Sequence, residues 1–235
     1  MTEMPSIAAA GVAVTVAVFA AAAAVQRRTG WALLNPVLVS VAVIAGMLLV
    51  LHIPHARYEV GGRLLGLLLG PAVVALAVPL HQQTPRLLAR GRSIGVSLLV
   101  GSAIGILSGL GVGALLQVPE GVLRSIVPRS VTTPIAMGIA ERIGGIPSLT
   151  ALLVIVSGIT GAVLGPGVLK VAGVRSRTAL GLALGAAAHG IGAARAAEEG
   201  VPEAASAGLA MALMGLLTAL WAPLLLWLLS SLGVL

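Results

Sequence analysis

Apolar runs near the ~20 residues needed to cross a bilayer as a helix recur along the whole chain, and this constrains the fold more than any other feature. They cover about 6–25, 33–53, 64–80, 93–116, 149–171, 179–197 and 204–232, with a shorter, more polar section at 122–143. Of 235 residues, 58% are hydrophobic and 9% are charged, whereas roughly a quarter of a soluble domain is charged. Inside hydrocarbon every backbone polar group must be satisfied within the chain, which leaves helices or a closed barrel. Aromatics make up 2%, and neither aromatic girdles nor alternating strands are visible. The expected fold is an all-α integral membrane protein of about seven or eight hydrophobic segments, some broken by Gly or Pro or re-entrant.

The formal charge of +7 does not read as a nucleic-acid footprint. The cations are Arg apart from Lys170, and they sit in short clusters between apolar runs. That is the pattern that orients membrane helices. If the loops holding Arg27-Arg28, Arg86-Arg90-Arg92 and Lys170-Arg175-Arg177 are cytoplasmic, the N-terminus is outside and 122–143 enters and leaves on the outer side as a hairpin. Arg57 and Arg63, diluted by Glu59, compete with this orientation. There is no Asp and no Cys, so acidic metal cages, thiolate sites and disulfides are not expected. Met1 to Pro5 lacks the basic start of a signal peptide, and 6–25 reads as the first membrane helix.

Two prolines bracket the most polar stretch at membrane depth, Pro128-Arg129-Ser130-Val131-Thr132-Thr133-Pro134-Ile135. Pro is tolerated in the first turn of a helix, and Thr133 before it is a good cap. A helix is therefore expected from Thr133-Pro134 to Gly144-Gly145, with non-helical chain between the prolines. Its N-terminus is suited to an anion, carboxylates included. Ser130, Thr132 and Thr133 add hydroxyls, Pro134 fixes the first turn, and Arg129 adds charge. An ordinary capped helix start in an interfacial loop reads equally well.

The second polar break is Ala188-His189-Gly190-Ile191-Gly192-Ala193-Ala194-Arg195. A His in an apolar helix is costly and often functional. Gly190 and Gly192 would let the helix open there, and His189 would bind a carboxylate or carry a proton. The alternative is an imidazole donating to a neighbouring carbonyl. Arg195 is a candidate ligand, or it is neutralised by Glu198 and Glu199 at i+3 and i+4. Glu141, two turns after Thr133, is a candidate for charge or proton coupling, or it lies among headgroups. His52, His55 and His81 fall at segment ends and read as interfacial. There is no Gly-x-Ser-x-Gly elbow and no Asp to orient an imidazole, so an enzyme is not expected and no residue is assigned as catalytic.

Glycines at 95, 101, 105, 109 and 113 line one helix face, which lets neighbours approach closely. Leu69-Gly70-Pro71-Ala72-Val73 resembles Leu164-Gly165-Pro166-Gly167-Val168, each interrupting a segment and followed by a basic loop. This hints at an internal repeat of the kind that builds transporters.

Four motifs together resemble the LrgB/CidB family. They are Arg129-Ser130-Val131-Thr132-Thr133-Pro134-Ile135-Ala136, Gly144-Gly145-Ile146-Pro147-Ser148-Leu149-Thr150, Gly161-Ala162-Val163-Leu164-Gly165-Pro166, and His189-Gly190-Ile191-Gly192 with Arg195 and Glu198-Glu199-Gly200. The resemblance is specific over 128–200 and marks 61–235 as the core, with 1–60 as N-terminal membrane helices of a single membrane domain. It implies a multi-pass protein of a bacterial inner membrane. Bacterial members are labelled antiholin-like and are tied to murein hydrolase activity and lysis through a small LrgA/CidA-type partner. The plant plastid relative carries glycolate and glycerate, and some bacterial members are linked to pyruvate uptake. The resemblance thus implies a carrier for small monocarboxylates (pyruvate, glycolate, glycerate or lactate), proton-coupled or not, or else a non-transporting regulator that binds the partner. The helix start at Thr133 would hold the carboxylate, and His189 the hydroxyl or oxo group. The implied partners are the carboxylate, the bilayer, an LrgA/CidA-like subunit and further copies of the chain, with no cofactor, metal or nucleic acid. The family pattern expects Ser before the His and Thr after the second Gly, where this chain has Ala188 and Ala193.

Overall fold

A computed structural model describes residues 3–29, 34–68, 71, 74, 75 and 77–231. The described residues form ten helices in two compact units, Met1–Ala75 and Leu76–Leu235. Four helical stretches are long and apolar enough to cross a membrane: Ser6–Thr29, Gly91–Leu115, Pro147–Val171 and Val201–Ser231. The remaining apolar segments take shorter or folded-back forms.

The first unit holds α1 (Glu3–Thr29), α2 (Pro36–Val50) and α3 (His55–Leu67). The Asn35 side chain accepts from the amides of Val37 and Leu38 at 2.9 and 3.3 Å, and Pro36 opens α2, as the cap-and-first-turn pattern predicts. At 15 residues α2 is about 22 Å long. α3 packs on α1 where Gly61 meets Gly11. A Cβ at Gly61 would lie 2.8 Å from the Ala8 carbonyl oxygen and the Gly11 Cα. Tyr58 Oη hydrogen-bonds to Thr15 Oγ1 at 2.7 Å. These contacts bind α3 to the N-terminal unit, Met1–Ala75. Of the expected segment 64–80, residues 64–67 belong to α3 and residues 77–80 to α4 (Ala77–Ala89). Residues 69, 70, 72, 73 and 76 lie outside the described residues, and with them most of the 69–73 half of the expected repeat.

The second unit holds α4, α5 (Gly91–Leu115), α6 (Glu120–Ile126), α7 (Thr133–Arg142), α8 (Pro147–Val171), α9 (Arg177–Glu199) and α10 (Val201–Ser231). α6 and α7 are the two arms of a hairpin. The Arg124 guanidinium donates to the Ile143 carbonyl at 2.8 Å. Ser125 Oγ accepts the Ile146 amide at 2.7 Å, and Thr150 Oγ1 donates to the Ser125 carbonyl at 3.1 Å. Ser125 and Thr150 are fully buried, so these bonds are worth more than exposed ones. Gly144, at φ +78°, makes the turn out of α7, with the Gly145 amide on the Ala140 carbonyl at 2.7 Å. A residue with a Cβ would be strained there. The hairpin returns along α5: Leu123 fills the space over Gly113, Arg129 the space over Gly109, and Ser130 faces Gly105. The glycine face of α5 is the seat of this hairpin.

α9 is a second hairpin. A straight helix of 23 residues would be about 34 Å long. Instead the Arg177 side chain reaches the Glu199 carbonyl at 3.4 Å, and Gly192 lies against the Leu184 carbonyl. The chain reverses at Ala188 (φ −127°, ψ 15°) and His189 (φ 41°, ψ −129°). The break falls on the imidazole residue itself, not between Gly190 and Gly192 as the glycine spacing suggested. The apolar run 179–197 is therefore two short arms, not one crossing. Gly165 meets Leu184, Gly161 meets Ala188 and Gly158 meets His189, so the second hairpin runs from the C-terminal end of α8 to its middle. The Gly165-Pro166 pair does not interrupt α8, which continues to Val171.

The two hairpins enter from opposite ends. The first opens where α5 ends and α8 begins, and the second opens where α8 ends. Gly105, beside the first tip, is about 15 Å from the end of α5, and Gly158, beside the second, about 16 Å from the start of α8. Both tips therefore lie near the midpoints of α5 and α8, two helices long and apolar enough to cross a membrane. A span followed by a hairpin occurs twice, in opposite directions: α5 with α6–α7, then α8 with α9, a pairing different from the 69–73 and 164–168 match. α10 runs past both. Gly185 packs on Ala207, and Ile135 packs on Gly215. In this unit Arg90 and Arg92 share one end with Lys170, Arg175 and Arg177, and the first hairpin opens at the other, the arrangement that the cation pattern required.

Candidate functional site

Between the hairpin tips lies an open cavity of about 620 Å³. Arg129 and Ser130 line it from the first tip, Ser157 and Thr160 from α8, and Ala186 and Ala187 from the second hairpin. Gly101, Ile104 and Gly105 of α5 and Met214 of α10 close the rest.

Arg129 is its one charge. The guanidinium donates to Ser108 Oγ at 3.3 Å and to the Ile126 carbonyl at 3.5 Å, both long. Arg63, Arg124, Arg177 and Arg195 each pair with a glutamate. Among the described side chains, Arg129 is the one arginine that is neither exposed nor ion-paired. Guanidinium does not deprotonate in proteins, so its charge stays and calls for an anion. Arg129 also borders a second cavity of about 250 Å³, which follows α5 past Gly109 and Gly113 to Leu116.

The other expected site residues are placed as follows. Thr132, not Thr133, is the residue before the helix (φ −64°, ψ 145°), and its hydroxyl makes no capping bond. Thr133 and Pro134 are the first helical residues. The start of α7 lies beside the cavity, but Pro134 lines a separate cleft with Ala219 and Pro223. His189 is buried, 5% exposed, and its Nε2 donates to the Val154 carbonyl at 3.0 Å. The bland alternative for the imidazole is the observed one. Gly190 is exposed at the start of the returning arm, and Gly192 is buried inside the hairpin. Arg195 pairs with Glu198 at 3.2 Å and Glu199 at 2.6 Å, away from the cavity. Glu141 is exposed, about 12 Å along α7 from Thr133. The structure thus brings Arg129 and Ser130 together and leaves Thr132, Thr133, Pro134, His189, Gly190, Gly192, Arg195 and Glu141 outside the lining. Ala188 and Ala193 are buried, 0% and 1% exposed, so a hydroxyl at either would not face the cavity.

Sequence reasoning missed Ser157 and Thr160. The available signal was two hydroxyls three residues apart in the middle of an apolar helix, a spacing that puts both on one face.

Chemically, the cavity can hold a small anion. Its polar lining groups are the Arg129 guanidinium and the hydroxyls of Ser130, Ser157 and Thr160. The chain belongs to the LrgB-like family, whose family model matches residues 15–228. It is 37% identical to the uncharacterized protein YxaC of Bacillus subtilis over 91% of this chain and 93% of that one. YwbG of the same organism, also named uncharacterized, is 39% identical over 90% and 94%. An antiholin-like protein LrgB of Bacillus cereus is 33% identical over 85% and 86%. No solved structure matches the chain.

Proposed function

We propose that this protein is a membrane carrier for small monocarboxylates of the pyruvate, lactate, glycolate and glycerate class. The observation that carries the reading is Arg129, an unneutralised cation in a cavity reached from one end along α5. One cation matches one carboxylate. A dicarboxylate would leave a second charge in a lining that offers no second cation, at a cost of several kcal/mol. Arg129 takes the carboxylate in this reading, Ser130 supports it, and His189 positions the second tip.

We read the activity as transport and not catalysis. Among the described lining residues the hydroxyls have no carboxylate or imidazole beside them to activate them. The bacterial plasma membrane is the proposed location. Relatives named antiholin-like favour a second reading: a regulator of lysis that acts by binding an LrgA/CidA-like membrane subunit or further copies of itself, without carrying anything.

Uptake of labelled pyruvate, lactate and glycolate into proteoliposomes tests the two. The carrier reading expects saturable uptake that is lost in Arg129→Gln. No flux of any of these acids, with or without the partner subunit, sinks it in favour of the regulator.

A further inference from the structure

The α8 wall of the central cavity carries one hydroxyl without a partner among the described residues, Thr160, and one held only by a long bond, Ser157. We infer that Thr160, with Ser157 one turn before it, selects monocarboxylates bearing a hydroxyl or oxo group beside the carboxylate over those lacking one. The inference rests on the carrier reading and assigns residues that the sequence motifs did not mark.

Thr160 is exposed to the cavity, and its hydroxyl has no hydrogen-bond partner among the described residues. That sets it apart. Thr15, Ser102, Ser108, Ser125, Ser206 and Ser231 each donate to a carbonyl three or four residues earlier, the usual way to satisfy a hydroxyl in an apolar helix. Ser157 Oγ lies 3.5 Å from the Ala187 carbonyl, beyond a normal O–H···O length, so it can turn to another partner. A hydroxyl both donates and accepts, so the pair can meet an oxo oxygen as donor or a hydroxyl as either. The remaining polar lining groups are Arg129 and Ser130, both on the first tip, where the carboxylate binds. His189 cannot take this role, because its Nε2 is held by Val154 and its side chain does not line the cavity.

The experiment is direct binding of L-lactate and of propionate, which differ by one hydroxyl, to the purified full-length protein in lipid nanodiscs. Wild type is expected to prefer lactate by about tenfold, the effect of one hydrogen bond left unmade. In Ser157→Ala/Thr160→Val the ratio is expected to fall within about twofold while propionate still binds, which shows an intact site. Thr160→Ser is expected to keep the preference. The assignment is overturned if the double variant keeps it, or if Thr160→Ser loses it as fully as Thr160→Val. Equal binding of both acids to wild type overturns this inference and leaves the carrier reading standing; binding of neither overturns both.

Discussion

The two hairpins share a topology and differ in chemistry. Each follows a long span, and each turns near the middle of the second unit. The first has a polar tip bracketed by Pro128 and Pro134, and its cation is not neutralised. The second has an apolar, strained tip at Ala188-His189, and its one polar side chain is committed to the Val154 carbonyl. A non-glycine residue at φ 41° persists only where its surroundings over-determine it, and here Val154 and Gly158 hold the ring. One hairpin supplies the charge of the site and the other its wall. Equivalent position in a repeat therefore does not imply equivalent function.

The sharpest way to break this contrast is Arg129→Gln. Removing the cation is expected to lower carboxylate uptake by roughly 10²-fold or more, in line with losing a buried charge-assisted contact. Fold stability is expected to hold or rise, because the cation has no carboxylate of its own to leave behind. Uptake kinetics and a melting curve on the same preparation check both halves. Uptake at wild-type level in this variant would move the anion site elsewhere.

The second hairpin should behave oppositely. His189→Ala removes the second hydrogen bond on the Val154 carbonyl, which the helix already satisfies, and empties a buried site, expected to cost about 1–3 kcal/mol. Gly158→Ala sets a methyl 2.7 Å from the ring and is expected to cost a similar amount through overpacking. In both, a lower melting temperature is the primary change, and substrate affinity in the folded fraction stays within about threefold. Loss of affinity in His189→Ala at unchanged stability would return the imidazole to the ligand set.

Much of this was legible in the sequence. Proline placement announced the first hairpin, because Pro fixes φ and forbids a helix interior. Glu198 and Glu199 announced the neutralisation of Arg195 through i+3 and i+4 spacing. The second hairpin was hidden. Its arms and its tip are apolar and small, so the run 179–197 looks like one crossing, and only backbone dihedrals reveal the reversal. Thr160 was hidden for a related reason. A single hydroxyl in an apolar helix usually bonds to its own backbone, and only the structure shows that this one does not.

The glycine face of α5 sharpens the comparison at finer scale. A Cβ at Gly109 would fall on the Arg129 guanidinium and 2.9 Å from Ile126 Cγ2. The guanidinium is the far end of a flexible chain and can move, so Gly109→Ala should fold. It should displace the cation and raise the KM for uptake several-fold, since small misplacements at a binding group are felt strongly. Gly95→Ala is the matched control, on the same face but outside the cavity lining, its methyl meeting nothing within 4 Å. Equal effects from both would mean that the face serves packing alone.

The smallest effect is expected at Arg195, which the motif pattern offers as a ligand and the structure places in pairs with Glu198 and Glu199. Both glutamates are well exposed, 59% and 37%, and pairs of this kind contribute about 0–1 kcal/mol. Arg195→Gln is expected to leave uptake within twofold of wild type and to shift the melting temperature little. The comparison with Arg129→Gln then separates two arginines in the two tip-forming segments by one criterion. A cation whose charge is already matched by carboxylates has nothing left to offer a substrate, whereas one without such a match does. A hundredfold loss of uptake in Arg195→Gln would show that the second hairpin carries charge to the site after all, and would remove the division of labour between the two tips.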